Sequence, residues 1–358
     1  MEQESSLSVL FNYALTYNFD KFNGLFEELE FRFPQEQFSE AYLMRAQIKL
    51  FATDITAADD LEKGMRFIKT PKYPFLDTLW NPDSATQFVV FPKTAGAVRE
   101  FLRVLPKMRE KMDQLYGVCG DAAVRRIQYE LYYFIGETEK ALDYMVQHPN
   151  QMISNYKDRI YMMCVFFRCY LAAGKANGAE KIRMKMIQLS QQDSKCQMVY
   201  EEFRKWANLT TGWSGDSPRF YNSSEGIRLP VMKDRLDAVR NGIARSRYFE
   251  SQFIAYAVSA YEDVYTMRQY YMDIFRAMYW LLLEDYEQVK YCFEKLYKIA
   301  RSSCLIMPFV ECGEHITPLL QYAQESGIPG SGVWAARVST LASKYEENLN
   351  IYRALESV

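Results

Sequence analysis

A chain of 358 residues is too long for one conventional compact core, which stops growing near roughly 250–300 residues, so it forms either two domains or an elongated repeat. Hydrophobic residues at 49% and charged residues at 25% exclude wholesale disorder. With 43 basic against 45 acidic residues and a net charge of −2, direct nucleic-acid binding is not expected as its main role.

The N-terminus, MEQESSLSVL, carries acidic residues where a signal peptide has basic ones, which predicts a cytoplasmic chain. Tyr13, Tyr17, Phe22 and Phe26 then set out offsets of four, five and four residues that recur along the chain. Residues 71–97 interrupt them with Pro71, Pro74, Pro82, Pro92 and the β-prone run QFVVF (87–91), predicting an irregular insert. The offsets return at Tyr132, Gly136, Ala141 and Met145, at Tyr170, Gly174, Ala179 and Arg183, and at Trp280, Glu284, Val289 and Phe293. Between the last two sets, residues 208–230, with TTGWSGDSP and SSEG, predict a second irregular insert.

Each set describes a helical hairpin. The aromatic lies one turn before the end of the first helix, glycine ends that helix in a left-handed conformation, and the small residue lets the second helix approach closely. Val124, Ile127, Leu131 and Phe134, like Val289, Phe293, Leu296 and Ile299, step by three or four and make single apolar stripes. Gly136 and Gly174 are separated by 38 residues, between the ~34 of tetratricopeptide repeats and the ~40–47 of larger helical repeats. The expectation is one all-α domain over 1–358: a tetratricopeptide-like helical-hairpin solenoid, a right-handed superhelix in which each hairpin contacts mainly its neighbours.

Chemistry-bearing motifs are sparse. No stretch approaches the ~20 apolar residues of a spanning helix, since YWLLL (279–283) is closed by Glu284 and Asp285, so no membrane partner is expected. Seven cysteines without a regular framework suit reduced thiols in packed helices. Cys312 and His315 could form half a metal site, but no second pair appears, and neither a metal nor a cofactor is expected. Gly174-Lys175 lacks the upstream glycine of a phosphate loop, and no nucleophile elbow or dinucleotide fingerprint occurs, so no catalytic residue is assigned and the chain is not expected to be an enzyme. Clusters at Arg235, Arg240, Arg245 and Arg247, and at Lys181, Arg183 and Lys185, have acidic neighbours and read as solvated faces.

The aromatic supply exceeds what hairpin packing needs. If one face of each first helix fills the interface between repeats, the other lines a concave groove. Tyr129, Tyr133, Tyr161, Arg168, Tyr261, Tyr265 and Tyr270 are the candidates for a ligand or partner surface there, since Tyr and Arg combine contact area with a polar handle. A small-molecule inducer, or a protein or peptide, is the partner such a groove predicts.

The C-terminal run AMYWLLLEDYEQVKYCFEKLYKIARSSCLIMPFVECGEHITPLLQYA (277–323), followed by SKYEENLNIYRAL (343–355), resembles the end of the sensor domain of large bacterial LuxR-type transcriptional regulators, the group that includes the maltose regulon activator. The matching signature is Met307, Pro308, Phe309, Val310 and Glu311, and NPDSATQFVVFPKTAGAVREFLRVL (81–105) is similar to an insert in Gram-positive members. The resemblance implies a helical superhelix that senses an inducer or protein partner, set between a nucleotide-binding module and a helix-turn-helix. Neither flanking module is present in these residues, so the family's ATP and DNA activities are not carried over. Either an excised sensor domain or a protein that kept only the sensor is expected. A stand-alone tetratricopeptide-like interaction scaffold is the alternative.

Overall fold

The computed structural model describes residues 2–15, 18–76, 98–147, 156–192, isolated positions between 194 and 204, and 267–356. Most of the 71–97 insert (77–97), all of 208–230, the four arginines at 235–247, His148, Tyr261 and Tyr265 lie outside them. The described residues are helical, with no strand among them. In chain order the helices are α1 (Glu2–Leu15), α2 (Phe19–Arg32), α3 (Ser39–Phe51), α4 (Ala57–Met65), α5 (Val98–Tyr116), α6 (Val118–Phe134), α7 (Thr138–Gln147), α8 (Tyr156–Ala172) and α9 (Ala176–Ser190). After the undescribed stretch come α10 (Met267–Leu282), α11 (Tyr286–Ser303), the single turn α12 (Met307–Val310), a 3-10 turn (Gly313–Ile316), α13 (Thr317–Glu325) and α14 (Ser331–Glu356).

Consecutive helices pack in pairs: α3 on α4, α5 on α6, α8 on α9, α10 on α11 and α13 on α14. Beyond the N-terminal set, the spaced offsets fall at three turns, after α6, which also packs on α7, after α8 and after α10. After α6 the Gly136 N–H donates to the Tyr133 carbonyl and the Glu137 N–H to the Tyr132 carbonyl. After α8, Gly174 and Lys175 donate to Leu171 and Tyr170, and after α10, Glu284 and Asp285 donate to Leu281 and Trp280. This is the Schellman arrangement, in which a left-handed residue lets two amides return to carbonyls that the helix end leaves without partners. Gly136, Gly174 and Glu284 have φ of 78°, 71° and 57°. The aromatic of the repeat is thus the residue whose carbonyl accepts the longer bond, and the N-terminal set agrees, with Asn18 donating to Tyr13.

A further turn follows the same rule without its sequence signature. Thr53 has φ 54°, and Thr53 and Asp54 donate to Leu50 and Lys49. Lysine stands in the aromatic position and threonine in the glycine position, so the offsets were not visible in the residues.

The small position also behaves as its size requires. Ala141, Ala179 and Val289 are fully buried at the second helix of each hairpin, and a Cβ on the neighbouring Gly178 would stand 2.6 Å from the Tyr170 ring. The long α14 buries Ala335, Val338, Ala342, Tyr345, Leu349 and Tyr352, a three-four repeat that makes one stripe. Asp285 caps α11 through the Gln288 N–H.

Contacts are not confined to neighbours in the chain. α12 packs on α6 and α10, and α14 packs on α8 and α9. The C-terminal unit therefore lies against the middle hairpins, and the buried apolar residues form one cluster from Leu7 to Tyr352. Near the other end, residues 71–76 are held on α3: Glu40 accepts the Lys72 N–H at 2.6 Å and Gln47 accepts the Leu76 N–H at 2.7 Å.

Candidate functional site

The first helices of two successive hairpins, α6 and α8, carry polar side chains inside apolar runs. Arg126, Glu130 and Tyr133 are spaced by four and three on α6, and so share a face. The Arg126 guanidinium lies 5.7 Å from the Tyr161 ring centre, and the Arg168 guanidinium lies 5.7 Å from the Tyr133 ring centre. Both partners advance by seven residues together, so α6 and α8 run in the same direction with this face between them. Arg126, Glu130, Tyr133 and Arg168 are all buried.

The C-terminal unit completes the cluster. Leu305 to Glu311 is apolar apart from its last residue, and Met307, Phe309 and Val310 are buried against α6, α10 and α14. Phe309 meets Tyr270 edge-on at 5.8 Å and Trp334 at 4.8 Å. This packing delivers the Glu311 carboxylate to the end of the α6–α8 face. It accepts hydrogen bonds from the Tyr133 hydroxyl and, at 2.8 Å, from the Tyr271 hydroxyl.

Burial and charge act together here. Removal from water opposes the charge on Arg168, but the Glu311 carboxylate and the Tyr271 and Tyr133 oxygens outweigh it and hold the guanidinium above its usual range. Burial first, and the Glu311 charge second, push the Tyr133 and Tyr271 hydroxyls well above the ordinary tyrosine value. Both therefore keep their protons and act as donors. The adjacent Cys169 thiol is raised by burial and is not a thiolate at neutral pH. These groups are suited to holding a carboxylate, not to supplying a nucleophile or a base.

Two carbonyls at matching repeat positions are read by the same unit. The Ile306 N–H donates to the Phe134 carbonyl at 2.9 Å, and the Asn348 side-chain amide donates to the Ala172 carbonyl at 3.0 Å. Phe134 and Ala172 are the last residues of α6 and α8, each two before its glycine. A Cβ on Gly136 would stand 2.7 Å from Ile306 Cδ1, and one on Gly174 would stand 2.7 Å from Asn348 Oδ1. Farther along α14, the Tyr352 hydroxyl donates to Glu180 at 2.9 Å and its ring meets Phe167 edge-on.

Of the groove candidates, Tyr133 and Arg168 meet in this cluster. Tyr161 is half-buried beside Arg126, and Tyr270 is buried under Phe309 with its hydroxyl on the Leu305 carbonyl. Tyr129 is buried between Tyr144 and Phe166. Tyr129, Tyr133, Arg168 and Tyr270 are thus buried, Tyr129 between α7 and α8 and Tyr133 beneath Glu311 of the C-terminal unit. Tyr261 and Tyr265 fall outside the described residues. Glu311, Tyr271, Glu130 and Asn348 were not singled out as site residues. Charged residues at 126, 130 and 168, within the aromatic- and aliphatic-rich stretches of α6 and α8, were the signal available.

Cys312 is buried with its thiol on the Pro308 carbonyl, whereas His315 is exposed, so the two do not converge. No group of three or more potential metal ligands occurs among the described residues, and no described helix is long and apolar enough to cross a membrane. Arg183 pairs with Glu180, as expected for a solvated face. An open groove lined by Lys290, Tyr297, Lys298 and Arg301 also contains Glu294 among its cations. No family model, curated protein or solved structure matches the chain.

Proposed function

We propose that this chain is the ligand- or partner-sensing domain of a bacterial transcriptional regulator, built as a tetratricopeptide-like right-handed superhelix and working in the cytoplasm. The observation that carries the reading is the placement of Met307 to Glu311, the segment on which the resemblance to LuxR-type sensor domains rests. It joins α6 and α10 through one buried carboxylate, whose charge also acts on Arg168 of α8. A contact between helices far apart in the chain is the kind of link that a bound inducer can bias, provided that the inducer binds the joined and parted arrangements unequally. The adjoining modules of the regulator would receive that change in curvature.

A thermal-shift screen against small metabolites, followed by small-angle scattering with any hit, tests this reading. A ligand at a hundred times its dissociation constant stabilises the state that it binds by about 2.7 kcal/mol. The expected result is saturable stabilisation with a change in radius of gyration. Indifference to metabolites together with tight binding of a helical or extended peptide would instead make the chain an interaction scaffold.

A further inference from the structure

We propose that the groove between α11 and the turn joining α13 to α14 binds an extended segment of a partner protein, one that carries two acidic side chains four residues apart with a basic one midway between them. The proposal goes beyond the sensor reading and does not rest on it.

The groove has a volume of about 780 Å³, and its walls are braced within the chain. Its floor is the buried Tyr297, whose ring stacks on Phe293 at 5.9 Å and meets Trp334 edge-on at 5.5 Å. The Tyr297 hydroxyl donates to the Pro329 carbonyl at 3.2 Å, and the Ser331 hydroxyl donates to the Ile328 carbonyl at 2.7 Å, so the turn that forms one wall is held on both sides. Gly330, with φ 83°, leaves room for the tyrosine hydroxyl, since a Cβ there would stand 2.9 Å from it. Ile328 and Pro329 give this wall an apolar surface.

The facing wall is a row of charge. Lys290, Glu294, Lys298 and Arg301 are spaced by four, four and three on α11, are exposed and line the groove. On the same helix Lys295 pairs with Asp273 at 2.8 Å, whereas among the described residues Lys290, Lys298 and Arg301 make no ion pair. Lys298 and Arg301 gain from the helix dipole near the C-terminal end, but Lys290, in the second turn, does not.

The spacing selects the partner. From Lys290 to Arg301 the row runs along roughly 16 Å of helix, farther than one phosphate or carboxylate reaches. In an extended segment, side chains two apart share one side, and those at i and i+4 stand about 13 Å apart, against about 12 Å between Lys290 and Lys298. Glu294 lies midway and faces the side chain at i+2, so a basic residue fits there. Arg301 reinforces the Lys298 end.

Fluorescence anisotropy of the labelled peptide LTETKTETL on the intact chain tests the proposal. Threonine favours the extended form, and the sequence reads alike in both directions, so the polarity of the bound strand does not matter. Saturable binding is expected, at least fivefold weaker for LTQTKTQTL. It is also expected to be at least fivefold weaker in the chain carrying Lys290→Gln and Lys298→Gln, which alters only exposed side chains. The more acidic LTETETETL is expected to bind at least threefold more weakly than LTETKTETL, and Glu294→Gln is expected to remove that preference. Equal or tighter binding of LTETETETL to the unaltered chain would reduce the interaction to non-specific attraction and overturn the site. Absence of saturable binding, or binding unchanged in the lysine double variant, would overturn it too.

Discussion

At Gly136 and Gly174 a side chain costs twice. The left-handed backbone disfavours any Cβ by roughly 1–2 kcal/mol, and the added atom would crowd Ile306 or Asn348. Gly136→Ala and Gly174→Ala are each expected to lower stability by about 1–2 kcal/mol, seen as a lower urea midpoint at unchanged slope. Glu284 occupies the same conformation with φ 57° and a side chain, so Glu284→Gly is expected to stabilise by about 0.5–1 kcal/mol. The opposite signs at equivalent positions separate backbone strain from loss of contacts. Gly136 and Gly174 were legible because an aromatic four residues earlier and an alanine five later frame them. Thr53 was not, because Lys49 stands where the other sets have an aromatic and Thr53 itself where two of them have glycine.

The tyrosines give a second prediction at this scale. Tyr133 and Tyr270 are fully buried, and burial raises both hydroxyls well above their ordinary value near 10. A raised folded value means that above pH 10 the unfolded chain binds fewer protons than the folded one. Their contribution is therefore complete below pH 10 and is lost as pH rises from there towards the raised values. Stability should fall by roughly 1.4 kcal/mol per pH unit for each such tyrosine above pH 10, and Tyr133→Phe should reduce that slope in denaturation curves at pH 10–11. An identical slope in the variant would contradict the assignment.

Among the elements, α14 does more than end the chain. Its inner stripe places Asn348 on the Ala172 carbonyl and Tyr352 on Phe167 and Glu180, so it closes over α8 and α9. Asn348→Ala removes one hydrogen bond and leaves a helix-end carbonyl without its donor. A loss of about 1–2 kcal/mol is expected, together with faster hydrogen exchange confined to the 172–175 turn. The hairpins themselves could be read from the residues, because 3.6-residue periodicity reports which face of a helix is buried. It does not report what covers that face. Tyr129, Tyr133, Arg168 and Tyr270 are expected on an open concave surface for that reason, whereas Tyr129 is buried by α7 and α8, Tyr270 by Phe309, and Tyr133 by a segment more than a hundred residues away.

For the whole molecule, the consequence is that the middle helices and the C-terminal unit are joined. Helix content followed from composition and periodicity, since a glycine-poor, aromatic-rich chain with short polar turns has few other solutions. The long-range closure did not follow, because the periodicity of one helix carries no information on which distant segment packs over it. Glu311 marks the difference: as a letter it is one acidic residue after an apolar run, and only the fold shows that two tyrosines and a buried arginine converge on it.

A double-mutant cycle between Tyr133→Phe and Glu311→Gln, read as unfolding free energies, probes that closure across residues 178 positions apart. Residues in one buried hydrogen-bond network couple by about 0.5–3 kcal/mol, whereas independent sites add within roughly 0.3–0.5 kcal/mol. A coupling of about 1 kcal/mol or more is the predicted result. Additivity of the two substitutions would mean that Glu311 does not hold the C-terminal unit on α6, and would contradict the account.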